Sequence, residues 1–373
     1  MNVLSRYAAA RGSDARYRML LRLCHGGAFA RQAERKLLIV FERRRISYTQ
    51  VYPFLVYARS FAERHGADIS LVATEDALKG FSRHHLEATH VLVQTWLTDP
   101  PERLAALLQR LDDLPRSTRR IYLDSFANSD IRLASHLESF SLYFKKSLLV
   151  SPTDMTRVTE GHTTLTEFYG RLYGLPQTPT DWQVPPAFLD RLRLAPNFLT
   201  GPGFLETFLG PPPPPQAGRE IDLHARLGGS GEDNWYGAMR RDAEVRVAGL
   251  SDLRSITGTG VPRPVFLDEL RRARVCFSPF GYGELCWRDI EAFMTGSVLL
   301  KPDMSHLRTE PDLYRDGETY VAVKWDFSDF EEKLRMLLEN RDLRDRIAHT
   351  AWQRAQDYLS GAGPVQSYAD ILS

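Results

Sequence analysis

Residues 275–303 read VCFSPFGYGELCWRDIEAFMTGSVLLKPD, and this stretch decides the fold class of the chain. Its first apolar residues predict a buried strand, Gly281 and Gly283 predict a loop, and residues 285–295 predict a helix. Gly296 predicts the end of that helix, and a second apolar strand follows it. Ligands of open α/β sheets bind where strands give way to the N-termini of helices. The stretch therefore predicts a site for a phosphate-bearing ligand.

The same alternation of strands and helices recurs along the chain. Helical patterns cover residues 52–64 and 101–111. Apolar runs predict strands in both halves, at residues 36–41, 68–73, 90–94, 120–123, 220–227 and 319–324. Continuous apolar runs separated by helices are typical of parallel strands that are covered on both faces. We therefore predict an α/β protein with two Rossmann-like domains.

A break in this pattern divides the chain. Gly201-Pro202-Gly203 and the prolines from Pro211 to Pro215 interrupt all periodicity, and a proline run forms a stiff, extended spacer. We predict an N-terminal domain over residues 1–200, a linker over residues 201–218 and a C-terminal domain over residues 219–345. Residues 346–373 predict a terminal helix.

The composition is that of an ordinary globular protein, with 43% hydrophobic and 25% charged residues. A formal net charge of +1 argues against a dedicated nucleic-acid binder, because such proteins usually carry a strong basic excess. Cys24, Cys276 and Cys286 have no metal-ligand spacing and indicate reduced thiols in a cytoplasmic protein. No apolar run is long enough to cross a bilayer.

The first 45 residues contain eleven Lys or Arg and only three acidic residues. Because apolar residues are interleaved with these charges, the segment predicts a basic amphipathic helix. Two interpretations stay open. The helix is solvated and packed on the domain, or it contacts the anionic inner face of a membrane.

Arg288 and Glu291 lie three residues apart on the predicted helix and therefore share a face. A guanidinium group suits phosphate oxygens, and a carboxylate suits the vicinal hydroxyls of a ribose. Gly281 and Gly283 allow the backbone to approach a ligand closely, and Tyr282 offers a ring to a base or a sugar. The alternative is that Arg288 and Glu291 form an ordinary surface ion pair. Three further candidates for phosphate contacts come from other strand ends and are Arg226, Gly229 and Lys301.

Glu284, Arg288, Glu291-Ala292 and Gly296 resemble the donor-binding motif of GT-B glycosyltransferases. The pattern Arg-x-x-Glu-Ala-x-x-x-Gly is similar to that of exostosin-like and CgeB-like members. The resemblance implies that the two domains face each other across a cleft and that the C-terminal helix crosses back to the first domain. The resemblance implies that Glu291 holds the ribose hydroxyls and Arg288 the diphosphate of a nucleotide-sugar donor. It also implies sugar transfer to a glycan or other hydroxyl acceptor, in the synthesis of envelope polysaccharide or another glycoconjugate. Retaining members have one more residue between their two glutamates than the six between Glu284 and Glu291, so the stereochemical outcome stays open.

An inverting transferase also needs a base that takes the proton of the acceptor. Asp124 and Glu42 each follow a predicted strand of the first domain and are candidates, and Glu284 is a third catalytic candidate. The first two are equally explained as N-cap or ion-paired groups. The sequence has neither a metal-ligand motif nor a Gly-x-Ser-x-Gly hydrolase motif, so we predict chemistry without a metal or cofactor. A nucleotide-sugar epimerase or hydrolase of the same fold and a non-catalytic sugar-nucleotide-binding partner protein remain alternatives.

Overall fold

The computed structural model describes residues 27–180 and 183–372, together with Met19. The predicted basic N-terminal helix lies outside these residues and stays a prediction. None of the described helices is both long enough and apolar enough to pass through a bilayer.

The described strands are, in chain order, β1 Arg35–Phe41, β2 Ala67–Ala73, β3 His90–Val93, β4 Arg119–Asp124, β5 Leu142–Lys145, β6 Ser147–Leu149, β7 Leu192–Leu194, β8 Ile221–His224, β9 Ser255–Ile256, β10 Ala273–Phe277, β11 Val298–Pro302, β12 Leu307–Thr309 and β13 Val321–Val323. The described α-helices are α1 Arg45–Val56, α2 Ala58–His65, α3 Thr74–Ala77, α4 Pro101–Leu111, α5 Pro152–Thr156, α6 Thr164–Leu172, α7 Phe204–Phe208, α8 Trp235–Ala248, α9 Arg263–Arg272, α10 Trp287–Thr295, α11 Phe330–Glu339, α12 Arg341–Ser360 and α13 Gly363–Ser367.

Two separate parallel sheets form the cores of two domains. The first sheet has the strand order β2-β1-β3-β4-β5-β7, and the second has the order β13-β11-β10-β8-β9. All neighbouring strands within each sheet run parallel. Helices cover both faces, and the side chains from Leu37 to Phe41 in β1 are therefore all buried. The prediction of two Rossmann-like units is confirmed.

The helix predicted over residues 52–64 is instead two helices, α1 and α2. Helix α1 begins at Arg45, seven residues earlier than predicted, and Tyr57 separates it from α2. Its early turns bury the polar side chains of Ser47, Thr49 and Gln50, and these hide the apolar periodicity. The amide of Gln50 donates to the carbonyl of Asp124 at 2.7 Å, so its burial is stabilised by a hydrogen bond that no periodicity reveals.

Three features hold the two domains together: a pair of strands, the linker and the C-terminal segment. Strand β12 of the second domain pairs antiparallel with β6 of the first. The predicted linker contains the helix α7, which buries Phe204, Leu205 and Phe208, and its proline run continues to Gln216. The backbone N–H of Gln216 donates to a carboxylate oxygen of Asp345 on α12 at 2.9 Å. The connection is therefore anchored to the domains at α7 and at Gln216, whereas most of the proline run between them is exposed.

The C-terminal segment is the third connection and crosses back to the first domain, as predicted. The hydroxyl of Tyr57 donates to the carbonyl of Leu359 at 2.8 Å. The ring of Tyr368 stacks on Phe54 with 4.5 Å between ring centroids, and Tyr368 is fully buried. The last helices therefore complete the core of the domain that begins the chain.

Asp124 at the end of β4 is predicted to stabilise the first domain. Its carboxylate and the ammonium of Lys145 lie 2.8 Å apart, with side-chain exposures of 1% and 0%. Asp124→Ala leaves a buried ammonium without its partner, and we expect the free energy of unfolding to fall by about 3–5 kcal/mol. Urea unfolding followed by intrinsic fluorescence measures this loss.

Asp112→Ala is the matched control for that prediction. Asp112 pairs with Arg120 at 2.7 Å, but its side chain is 70% exposed. Surface pairs contribute little, so we expect a loss below about 1 kcal/mol. Wild-type stability in Asp124→Ala, together with lost catalytic activity, would contradict the structural role and favour a catalytic one.

Candidate functional site between the two domains

A cavity of about 550 Å³ lies where the carboxyl ends of the two sheets face each other. Both domains contribute to its walls. The first domain supplies Arg45, Ile46, Ala127 and Phe198, and the second supplies Arg240, Val261, Arg263, Phe266, Gly281, Tyr282, Gly283, Leu285, Cys286, Trp287, Arg288 and Glu291. Of the donor-site residues predicted from the sequence, Arg288, Glu291, Gly281, Tyr282 and Gly283 therefore line one cavity.

A buried network fixes the first turn of α10 at this cavity. Asp289 accepts hydrogen bonds from the backbone N–H of Cys286 at 3.1 Å and from the hydroxyls of Ser278 and Tyr314 at 2.6 and 2.9 Å. The ammonium of Lys301 lies 3.2 Å from the same carboxylate. Because Asp289 is fully buried, this network sets the direction in which the rest of the turn points. Arg288 faces the cavity from that turn, and Glu291 faces it from the next one.

Arg288 is oriented by the backbone of the first loop of the second domain. One terminal nitrogen of its guanidinium donates to the carbonyl of Arg226 at 2.5 Å. Its Nε is buried and has no hydrogen-bond partner among the described residues. A buried donor without a partner costs free energy, and a ligand oxygen would satisfy it.

Glu291 is 9% exposed, and its carboxylate lies 3.5 Å from the Nε of Arg263. Burial raises the pKa of Glu291 above its usual value, although the nearby guanidinium groups, that of Arg263 first, act in the opposite direction. Desolvation therefore outweighs the ion pair, which is typical of a carboxylate at a functional site.

Four arginines line the cavity, whereas Glu291 is the one carboxylate among its lining residues. The guanidinium of Arg45 lies 4.7 Å from the centre of the Trp287 ring, and that ring stacks on Phe198 at 5.1 Å. Arg240 is 3% exposed and donates to the carbonyls of the loop before Gly281. Burial lowers the pKa of Arg240, because a low dielectric disfavours its charge. The cavity is cationic and suits a polyanionic group.

Gly283 is needed for contact with the first domain. A Cβ atom at Gly283 would lie 2.2 Å from the carbonyl carbon of Ala127, so only glycine fits there. Tyr282 beside it is 54% exposed, and its ring stacks on Tyr236 with 4.5 Å between centroids. Tyr282 therefore presents an open aromatic surface at the mouth of the cavity.

Three residues predicted to contact phosphates do not line the cavity. The guanidinium of Arg226 forms a two-point ion pair with Glu269, with distances of 2.6 and 2.7 Å. Gly229 has a φ of +91° and lies against Tyr236, where a Cβ would come within 2.2 Å of the ring. The ammonium of Lys301 is fully buried beneath α10. Arg226 still contributes through its carbonyl, which orients Arg288.

The predicted catalytic carboxylates also lie outside the cavity. Glu284 is fully buried and accepts a hydrogen bond from the Ser129 hydroxyl of the first domain at 2.7 Å. Its other oxygen has no hydrogen-bond partner among the described residues. Asp124 is paired with Lys145, and Glu42 is 3% exposed and lies 3.4 Å from Arg103. Asp124 and Glu42 follow strand ends as expected, but their carboxylates turn toward cations of their own domain.

Sequence reasoning missed two arginines of the cavity, Arg45 and Arg263. Arg45 ends the run Arg43–Arg45, which follows β1 and Glu42, so the rule that ligands bind at strand ends was the signal that could have found it. Arg263 begins α9 after Pro262, and no local pattern distinguishes it from other surface arginines. Both reach the cavity through tertiary packing.

Among residues 27–180 and 183–372, no three His, Cys, Asp or Glu side chains gather in a group that could hold a metal ion.

Neither a protein-family model nor a curated protein matches this chain. Solved structures do match. An α-glucosyltransferase in complex with UDP and a 13-mer DNA containing an HMU base is 10% identical, with a TM-score of 0.53 over 90% of this chain and 99% of that one. An α-glucosyltransferase with UDP-glucose and DNA containing an abasic site is 10% identical, with a TM-score of 0.52 over 91% and 98%.

HepE from Anabaena in complex with UDP-glucose is also 10% identical, with a TM-score of 0.46 over 90% of this chain and 99% of that one, which is too low to support an argument. At these identities the similarity shows the fold alone. The chain has the two-domain architecture of GT-B glycosyltransferases.

The raised pKa of Glu291 predicts a pH dependence of stability. The folded protein binds the proton of Glu291 more tightly than the unfolded chain does. The stability of the wild type therefore falls as pH rises from about 4.3, the usual pKa of a glutamate, through the raised value. Glu291→Gln has no carboxyl group to titrate at this position and does not lose this stability. We therefore expect the Tm of the variant minus the Tm of the wild type to increase as the pH rises from acidic to neutral.

Differential scanning fluorimetry across pH measures this difference. Glu339→Gln, at the exposed end of α11, is the control, and its Tm should stay close to that of the wild type throughout. A Tm of Glu291→Gln that falls relative to wild type as pH rises would show that the ion pair outweighs burial.

Proposed function

We propose that this protein is a glycosyltransferase that moves a sugar from a nucleotide-sugar donor to a hydroxyl acceptor. One observation carries the proposal. A cavity between two Rossmann-like domains is lined by four arginines and one buried carboxylate. A diphosphate needs several cationic donors in a confined space, and a ribose needs an acceptor for its hydroxyls beside them.

Arg288 is the proposed ligand of the diphosphate. It lies in the first turn of α10, where the helix N-terminus adds partial positive charge, and its Nε is buried without a partner in the described structure. Glu291 is the proposed ligand of the ribose hydroxyls, because it lies one turn further on the same face. In this proposal Arg288, Glu291 and Ala292 act as the donor motif of exostosin-like and CgeB-like transferases do.

The transfer forms one bond and breaks another. The hydroxyl oxygen of the acceptor bonds to the anomeric carbon of the sugar, and the bond from that carbon to the diphosphate oxygen breaks. The diphosphate leaves with the electron pair, and the hydroxyl proton passes to it or to water. The arginines stabilise the charge that builds on the leaving group, so the proposed chemistry needs no metal ion.

The acceptor is proposed to be a glycan or another small hydroxyl compound in the cytoplasm. The DNA in the α-glucosyltransferase structures belongs to those proteins. This chain has 48 basic and 47 acidic residues, which disfavours a nucleic-acid acceptor. Unlabelled duplex DNA should therefore fail to compete with an acceptor in a transfer assay, and strong competition would contradict this part of the proposal.

Arg288→Ala is expected to weaken nucleotide binding about 10- to 100-fold, because a charged hydrogen bond contributes about 1.5–3 kcal/mol. A thermal-shift screen of the wild type over UDP, GDP, CMP and dTDP identifies the nucleotide, and calorimetry then compares the variants. Arg271→Ala is the matched control, since Arg271 is exposed on α9. If none of the four nucleotides binds, or if Arg288→Ala binds as tightly as wild type, the donor site is not where we propose.

Arg288→Ala is further expected to lower the rate of transfer at least about 100-fold, because a donor aimed at developing charge contributes about 3 kcal/mol. Glu291→Ala removes the acceptor for the ribose hydroxyls, so we expect it to lower the rate as well, through weaker binding of the nucleotide-sugar donor. Release of the nucleoside diphosphate from the sugar donor, with and without a panel of hydroxyl acceptors, measures this rate. Release should depend on an acceptor and should persist in EDTA. Equal release without any acceptor would identify a hydrolase, and wild-type rates in both variants would remove the assignment.

A further inference from the structure

A second cavity, of about 200 Å³, lies within the first domain at the carboxyl ends of β3 and β4. Its walls are largely apolar and aromatic and include Trp96, Leu104, Leu108, Phe126 and Leu133. The rings of Trp96 and Phe126 meet edge to face, with 6.2 Å between centroids and an angle of 78°. Small-molecule sites have this character, with apolar walls and few polar groups.

The arginine and the carboxylate that line this cavity, Arg132 and Asp99, are already paired. Arg132 forms two hydrogen bonds of 2.7 Å each to the carboxylate of Asp130. Asp99 lies 3.2 Å from the guanidinium of Arg103. An anionic group entering the cavity would compete with these pairs, so the cavity favours a neutral occupant. In this respect it differs from the arginine-lined cavity between the domains.

Two loops of the first domain contain residues that contact the smaller cavity or its wall and residues that line the interdomain cavity. In the loop after β1, Arg44 lies over the ring of Trp96 at 5.1 Å, and the next residue, Arg45, lines the interdomain cavity. In the loop after β4, Phe126 lines the smaller cavity and Ala127 lines the larger one. Neighbouring residues of these loops therefore contact the two cavities.

We propose that this cavity, which we call the ring pocket, binds the aromatic part of a neutral hydroxyl acceptor. A cavity of about 150 Å³ lined by aliphatic and aromatic side chains binds benzene, so the ring pocket accommodates a group of one or two rings. Trp96 and Phe126 both lie in the wall of the pocket. Their rings favour an aromatic occupant over an alkyl chain, because aromatic pairs are stabilised in edge-to-face and stacked geometry. The assignment as an acceptor site rests on the proposed transferase function.

Ala105 and Ala106 offer a matched pair of variants to test the ring pocket. Both are exposed on α4, but only Ala105 lines the cavity. Ala105→Trp should fill the opening, whereas Ala106→Trp adds the same side chain beside it. The probe is 2-naphthol, a neutral two-ring phenol whose fluorescence reports its binding. We expect saturable binding to wild type and to Ala106→Trp, and at least tenfold weaker binding to Ala105→Trp.

Calorimetry with UDP, GDP, CMP and dTDP on the same proteins separates the two proposals. Equal binding of one of these nucleotides to wild type and Ala105→Trp, together with the loss of 2-naphthol binding in Ala105→Trp, supports a ring pocket distinct from the donor site. Binding of 2-naphthol but not of any nucleotide removes the transferase function and leaves the ring pocket supported. The ring pocket is overturned if 2-naphthol does not saturate, if both tryptophan variants bind it equally, or if 1-octanol binds more tightly than 2-naphthol.

Discussion

The close approach of the backbones at Gly283 and Ala127 determines how the two domains meet. No side chain fits between them, so the loop that ends β10 packs directly on the loop that ends β4. This contact brings Glu284 to the hydroxyl of Ser129 and buries its carboxylate between the domains. The arginines of the two domains converge on one cavity because these two loops meet beside it. A larger residue at position 283 would separate the domains before it disturbed either sheet.

The sequence predicts the strands well where consecutive residues are apolar and buried on both faces of the sheet. The run from Leu37 to Phe41 is apolar on both faces, and the structure places it in β1 at the interior of a parallel sheet. Strand β5 was missed, because it contains the buried Lys145, whose charge is compensated by Asp124 more than twenty residues earlier. Local patterns report the polarity of a side chain but not the partner that allows its burial.

The sequence predicts those residues of the candidate site that belong to one strand–loop–helix unit. Arg288 and Glu291 were found because residues three positions apart on one helix share a face. Arg45 and Arg263 were not found, because they enter from separate elements and only packing places them there. Lys301 was misplaced for a different reason. It lies near the carboxyl end of the apolar strand β11, where a phosphate ligand is expected, but its ammonium pairs with the buried carboxylate of Asp289 beneath the helix.

The position of Tyr368 constrains the order in which the chain can fold during synthesis. Its ring lies against Phe54 and Phe144 in the first domain, and its hydroxyl donates to the carbonyl of Gln50 across 318 residues of sequence. Until that tyrosine has left the ribosome, those two phenylalanines lack the ring that covers them. A nascent first domain must therefore wait, with part of its apolar surface exposed, for the whole second domain to be translated, and this delay gives chaperones a defined surface to bind.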